Sequence, residues 1–149
     1  MSSTVDGEGA VAAAPPRAEQ ALQEVLASWN RAAESWDVEA LAALYTEDAL
    51  MFGGRPGLAV GVAGMRGYFG SYVDVLASAH LALVDQYLVE LAPEVYLAQG
   101  FGVFKFGRVD GGQTGTTMRT TLVIARRDGR WKIRQHHFSS IPDKPPIDG

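Results

Sequence analysis

The second half of the chain contains four long segments that are rich in β-branched and aromatic residues. These segments are residues 80–91, 95–109, 116–127 and 130–140. Short turns join them, and the last turn is the dipeptide DG, a strong signal for a two-residue hairpin. Connections this short join antiparallel neighbours, so the pattern predicts an antiparallel meander of four strands.

Helical patterns come before the meander. From Arg17 to Trp36 the apolar residues recur at intervals of three and four, which is typical of an amphipathic helix. Asp37 can cap a second, short helix, and residues 62–76 carry a third helical stripe that several glycines interrupt. The apolar run at residues 49–52 ends at GGRPG and predicts an early strand.

This order of elements predicts an α+β fold. We expect a cone-shaped half-barrel, in which a curved antiparallel sheet wraps around three N-terminal helices. Gly100 and Gly102 lie inside the segment 95–109 and predict a bend or bulge there. A sheet that curls around helices leaves a hollow at its open end, where a ligand can bind.

Length, charge and composition narrow the possible partners. The 149 residues are enough for one domain, which we assign to residues 17–142, with a flexible arm at 1–16 and a tail at 143–149. Cysteine is absent, which excludes thiolate nucleophiles and cysteine metal sites. The net charge is −4 and no basic cluster stands out, which argues against nucleic acid and anionic membranes as partners. Neither a signal peptide nor a membrane span is recognisable, so we expect a cytoplasmic protein.

Three stretches resemble one known superfamily. They are SWDVEALAALYTEDALMFGGRPG, the following GMRGYF, and RRDGRWKIRQHHFSSIP near the end. Through them the chain is similar to the nuclear transport factor 2-like superfamily, which includes ketosteroid isomerases, SnoaL-type polyketide cyclases and the association domain of calcium/calmodulin-dependent protein kinase II. The resemblance implies the cone-shaped fold and an isomerase, cyclase or dehydratase that needs no cofactor.

The chain departs from two members of this superfamily at the positions that matter most. Gly53 stands where ketosteroid isomerases have their general-base aspartate, and Trp29 stands where they have the tyrosine that donates to the oxyanion. Ketosteroid isomerase activity is therefore not expected. Gly102, Leu122 and Phe138 stand where the association domains have pocket arginines, which predicts a more apolar pocket.

His136 and His137 are the candidate catalytic residues. Adjacent strand residues point to opposite faces, so these two cannot hold one metal ion, and we predict no metal site. Trp131 and Ile133 suggest that their side faces the helices, which would bring His137 to the pocket. A bulge near Gln135 would exchange the two histidines. A neutral imidazole in the pocket could transfer a proton, or it could be a structural histidine bonded to the backbone.

The side chain of Arg119 can lie on either face of the sheet. It either enters the pocket, where a carboxylate or a ligand oxygen would have to face it, or lies on the outer face of the sheet. The complete set of predicted substrate-binding residues is Trp29, Trp36, Tyr45, Phe52, Met65, Phe69, Gln99, Arg119 and Gln135.

Two functions are compatible with the sequence. The first is a pocket enzyme that isomerises, cyclises or dehydrates an apolar, polyketide-like substrate by acid/base chemistry. The alternative is a non-catalytic module for association or ligand binding. In both cases we expect a homodimer through the sheet, because residues such as Leu122 and Val123 give the strands apolar side chains on both faces.

Overall fold

The computed structural model describes residues 14–148, so residues 1–13 of the predicted arm and residue 149 of the tail lie outside it. Within the described residues the fold has three α-helices and six strands, as the α+β prediction requires. The helices are α1 (Pro16–Ala33), α2 (Val38–Ala42) and α3 (Gly61–Gly70). The strands are β1 (Tyr45–Phe52), β2 (Ala59–Val60), β3 (Leu76–Ala92), β4 (Val95–Arg108), β5 (Gln113–Arg127) and β6 (Arg130–Ser140).

The strands form one curved sheet in the order β2-β1-β6-β5-β4-β3. Strands β3 to β6 are successive antiparallel neighbours, which confirms the predicted meander. The φ angles of Asp128 and Gly129 are 54° and 77°, as expected for the two-residue hairpin between β5 and β6. Strand β1 pairs with β6 in the parallel direction, a pairing that local sequence patterns do not reveal.

The helices begin as predicted, but α3 ends early. Asp37 caps α2, because its carboxylate accepts a hydrogen bond from the N–H of Ala40 at 3.1 Å. Helix α3 ends at Gly70 rather than near Leu76. The hydroxyl of Ser71 donates to the carbonyl of Tyr68 at 2.7 Å, and the following residues form successive turns.

A bulge bends β3 opposite Gly100. Asp85 and Gln86 together face this one residue of β4, and Asp85 has a φ of 54°. A side chain at position 100 would collide with the carbonyl of Asp85. The amide of Gln86 also donates to the carbonyls of Val84 and Phe101, at 3.2 and 3.1 Å. The bulge therefore lies in β3 and not in the segment 95–109, where it was expected, and Gly100 of that segment faces it.

Asn30 joins α1 to the free edge of the sheet. Its Nδ2 donates to the carbonyl of Leu81 at 2.9 Å, and the N–H of Leu81 donates to its Oδ1 at 2.8 Å. The side-chain amide thus takes the place that a neighbouring strand would have along β3. Leu81 is buried, so water cannot easily replace either bond.

None of the helices in the described part of the chain is both long and apolar enough to cross a lipid bilayer.

Replacing Asn30 by alanine should lower the free energy of unfolding by about 2 kcal/mol, because two shielded backbone groups of Leu81 lose their partners. Asn30→Asp should also destabilise, since its carboxylate would face the carbonyl of Leu81. Urea denaturation followed by circular dichroism measures both. Arg31→Ala, one residue along and exposed, is the control and should change stability by less than about 0.5 kcal/mol. Equal midpoints for Asn30→Ala and Arg31→Ala would contradict this account.

Candidate functional site

A cavity of about 270 Å³ lies between the helices and the inner face of the sheet, and we call it the aromatic cavity. Its surface is almost entirely apolar, and hydroxyl groups of tyrosine and threonine supply polar atoms. The lining residues are Trp29, Trp36, Gly54, Tyr68, Phe69, Tyr72, Val75, Leu76, Phe104, Phe106, Thr116, Met118 and Phe138.

The sheet side of the cavity is built by strand alternation. Phe104 and Phe106 are two residues apart on β4, so both face inward, and their rings stack with an interplanar angle of 10°. Phe138 of β6 packs on Phe104 with ring centroids 5.2 Å apart. Trp29 of α1 meets Phe104 edge to face. These rings pack against one another and give the cavity a preformed wall.

Three of the predicted pocket residues line this cavity. They are Trp29, Trp36 and Phe69, which come from α1, the turn after it, and α3. Their contact with a substrate stays a prediction. Tyr45 and Met65 are fully buried in the core and do not reach the cavity surface. The prediction that these two residues contact a substrate therefore needs correction, because helix packing covers them.

The remaining predicted strand residues lie on the outer face of the sheet. Cross-strand partners point to the same side, and one row runs from Gln99 through Thr121 and His137 to Phe52. The amide of Gln99 donates to the hydroxyl of Thr121 at 2.8 Å. For Gln99, His137 and Phe52 the predicted pocket position is therefore wrong.

Two further predicted residues share this outer position. Arg119 is exposed and donates to the hydroxyl of Ser139 at 3.2 Å, so of its two possible places it takes the outer one. Gln135 pairs with Val123 on the same outer side. Its predicted pocket position is wrong for the same reason of strand parity.

A bulge in β6 decides which histidine points inward. Ile133 pairs with Ile124 and Gln135 with Val123, which leaves Arg134 as an extra residue in β6. Arg134 Nε lies 3.3 Å from a carboxylate oxygen of Asp48 on β1.

This bulge brings His136 to the inner face, where it is only 1% exposed, and turns His137 outward. The expected inward position of His137 is wrong. The alternative, an exchange of the two histidines by a bulge near Gln135, is what the structure shows.

His136 forms a buried pair with Tyr45. The Tyr45 hydroxyl and His136 Nδ1 are 3.0 Å apart, and the two rings are nearly parallel. Burial, together with the neighbouring charge of His137, lowers the pKa of His136 to about 3. Burial raises the pKa of the Tyr45 phenol above its usual value. Both groups are therefore neutral at physiological pH.

One layer of side chains separates His136 from the aromatic cavity. The ring of Phe138 lies 4.7 Å from the imidazole and forms part of the cavity wall. His136 Nε2 is buried and has no hydrogen-bond partner among the described residues. Trp29 lines both the cavity and a void of about 10 Å³ beside His136. The imidazole can reach a ligand only when this layer moves.

Sequence reasoning missed several lining residues for which a signal existed. Phe104 and Phe106 share the parity of Tyr96 and Ala98, so alternation alone predicts a common face. Tyr68 and Tyr72 are four residues apart, which places them on one side of α3 and its extension. What the pattern could not give was which strand face is the inner one.

Solved structures resemble this fold at low sequence identity. One is assigned as a calcium/calmodulin-dependent protein kinase II association domain from Xanthomonas campestris, with 20% identity, a TM-score of 0.74, and coverage of 83% of this chain and 87% of that one. A nuclear transport factor 2-like superfamily protein from Salmonella enterica serovar Typhimurium gives 18% identity, a TM-score of 0.72, and coverage of 89% and 97%. A protein assigned as a dehydratase of the nuclear transport factor 2-like family from Streptomyces avermitilis gives 15% identity, a TM-score of 0.71, and coverage of 86% and 99%.

No protein with a curated description matches the sequence. The family model of the SnoaL-like domain matches residues 22–144, which is most of the chain. Together with the cone-shaped fold that the solved structures share, this match confirms the resemblance inferred from the sequence. The chain belongs to the SnoaL-like domain family, and it shares its fold with proteins of the nuclear transport factor 2-like superfamily.

Proposed function

We propose that this protein binds an apolar small molecule in the aromatic cavity. The observation that carries the proposal is the cavity itself, which is about 270 Å³ in volume and walled by aromatic side chains from helices and sheet. Ligand pockets typically measure ~300–1,000 Å³, so this one suits a compact ligand of two or three rings. A flat hydrocarbon frame would match the planar walls.

We further propose that the ligand is a substrate and that the protein isomerises, cyclises or dehydrates it without a cofactor. Membership of the SnoaL-like family supports an enzyme, and one structural relative is assigned as a dehydratase. Reactions of this kind move a proton to or from a carbon beside a carbonyl group. The protein must therefore supply a group that accepts and returns a proton.

For the proton transfer we propose His136 and not His137. His136 lies directly behind the cavity wall, and its Nε2 has no partner among the described residues, whereas His137 is exposed on the other face of the sheet. Burial keeps the imidazole neutral at physiological pH, and when its one N–H is on Nδ1 and donates to the Tyr45 hydroxyl oxygen, Nε2 can accept a proton. Contact with the substrate requires displacement of the Phe138 ring.

A second function is favoured by the outer face of the sheet. This face carries exposed apolar side chains that no helix of residues 14–148 covers, among them Val84 at 39%, Tyr87 at 52% and Phe101 at 37% exposure. Leu97 and Val123 lie on the same face, beyond the polar row that contains Gln99 and Thr121. Exposed apolar side chains rimmed by polar residues are typical of a protein interface. We propose that a second copy of the chain covers it in a homodimer, as an association module would require.

Binding in the cavity is tested with isopropylnaphthalene, a compact hydrocarbon, by equilibrium dialysis. Thr116 lines the cavity, and Thr116→Trp should weaken binding at least about tenfold because the indole fills the space. Thr117→Trp is the matched control, since Thr117 is the next residue of β5 and faces outward, and it should leave the Kd unchanged. Failure of the unmodified protein to bind, or equal losses in both variants, would refute the proposal.

Proton transfer is tested by hydrogen–deuterium exchange at the methyl group of acetylnaphthalene in D₂O, followed by NMR. The protein should accelerate exchange, and His136→Asn should remove about 100-fold or more of the acceleration. His137→Asn is the control and should retain it. Because burial lowers the pKa of His136, the fall in rate on acidification should begin below pH 6.5, near which an ordinary histidine loses activity. Exchange that survives His136→Asn would refute this role.

Dimerisation is tested by light scattering coupled to size-exclusion chromatography. The unmodified protein should be a dimer, and Phe101→Glu should weaken the dimer at least about tenfold because a charge must be buried in the contact. Arg119 lies opposite position 101 and can pair with the new carboxylate, so the monomer should remain folded. Val109→Glu alters an exposed residue in the turn after β4 and should have no effect. A monomer at high concentration would exclude the interface.

A further inference from the structure

Two tyrosine hydroxyls meet at one end of the aromatic cavity. Tyr68 and Tyr72 both line it, and their rings pack edge to face with centroids 5.4 Å apart. Both hydroxyl oxygens lie close to the backbone of Gly53 and Gly54. A Cβ atom at Gly53 would collide with Tyr68 Oη, and one at Gly54 would lie 2.6 Å from Tyr72 Oη and 3.6 Å from Tyr68 Oη. Glycine at both positions therefore permits this arrangement.

The hydrogen bonds of Tyr68 and Tyr72 leave at least one hydroxyl proton without an acceptor. The N–H of Gly54 donates to Tyr68 Oη at 2.8 Å, so this oxygen acts as an acceptor. Two phenol protons remain, and a contact between the two hydroxyls can use only one of them. Burial, with Tyr72 beside it, raises the pKa of Tyr68, so its hydroxyl stays protonated. At least one O–H group at this end of the cavity is therefore available to a ligand.

Arg55 fixes the second tyrosine from the outside. Its guanidinium carbon lies 4.2 Å from the centroid of the Tyr72 ring. The same group donates to the hydroxyl and the carbonyl of Ser71, at 3.1 and 3.0 Å. The cation is thus held over the ring face, and the contact fixes the position of the Tyr72 ring.

Apart from Thr116 and the indole N–H of Trp29, which has no partner among the described residues, the rest of the cavity offers a ligand little besides hydrocarbon contact. The indole N–H of Trp36 is already committed to the carbonyl of Phe69 at 3.0 Å. Phe104, Phe106 and Phe138 form the sheet side. A cavity with one polar end and apolar walls orients its ligand by that end.

We propose that the Tyr68 and Tyr72 hydroxyls bind a carbonyl oxygen, so that the ligand of the cavity is an apolar, ring-containing ketone or aldehyde. This inference rests on the proposed binding function and names the class of ligand. The oxygen lies at the Gly53–Gly54 turn, and the rings extend along Phe104 and Phe138.

The experiment compares two ligands of the same shape, acetylnaphthalene and isopropylnaphthalene, by equilibrium dialysis. Tyr72→Phe and Tyr68→Phe should each weaken binding of the acetyl compound about 3- to 10-fold, the usual effect of one neutral hydrogen bond. They should change the Kd of isopropylnaphthalene by less than about twofold, since this compound has no oxygen to accept a hydrogen bond. Tyr87→Phe, on the exposed outer face, is the control and should change neither value.

The carbonyl stretching band of bound acetylnaphthalene gives a second readout. Hydrogen bonding lowers this frequency, so the band should lie lower in the unmodified protein than in the Tyr68→Phe/Tyr72→Phe double variant. This inference alone would be overturned if the unmodified protein binds both compounds, the tyrosine variants lose affinity equally for both, and the carbonyl band is the same in the unmodified protein and the double variant. Binding of neither compound to the unmodified protein would overturn the proposed function, and this inference with it.

Discussion

The paired hydrogen bonds between Asn30 and Leu81 set the geometry on which the cavity depends. They hold α1 along the free edge of β3, and Trp29, the preceding residue, is thereby directed at the inner face of the sheet. The bulge at Asp85 and Gln86 bends the same strand farther along, so the sheet curls over the helix. Helix position and sheet curvature together leave the space between Trp29 and Phe104 that becomes the cavity wall.

Most of the fold was predictable because its determinants are local. The hairpin at Asp128 and Gly129 needs only two residues with positive φ, and the stripe on α1 needs only its own spacing. The orientation of His136 was not predictable in the same way. It depends on one extra residue, Arg134, whose partner Asp48 belongs to a distant part of the chain. A slip of one residue reverses every following side chain, so an unforeseen bulge exchanges two histidines at once.

The positions of the candidate-site residues likewise depend partly on local sequence and partly on distant contacts. Parity groups residues within one strand, but it does not tell which group faces the helices, because both faces of these strands carry apolar residues. The polar residues predicted for the pocket therefore lie on the opposite side of the sheet. The tyrosine pair was missed for a different reason. Helical spacing indicates that Tyr68 and Tyr72 share a side, but only the folded turn brings Gly53 and Gly54 beneath their hydroxyls.

The Phe138 ring separates two groups of polar side chains near the cavity, and the two groups differ in their chemistry. On the cavity side, the tyrosine pair offers a hydrogen-bond donor to any ligand that enters. On the far side, Tyr45 and His136 Nδ1 form a hydrogen-bonded pair that is sealed from water, and His136 Nε2 has no partner among the described residues. Uncovering His136 removes the half-buried Phe138 ring from its packing, at a cost below the roughly 1.5–3 kcal/mol of a fully buried side chain. Recognition of a ligand oxygen requires no such displacement, so it can occur in the closed form. A substrate that pushes Phe138 aside would have to recover this free energy from its own contacts with the cavity, which makes binding and proton transfer separable properties of one site.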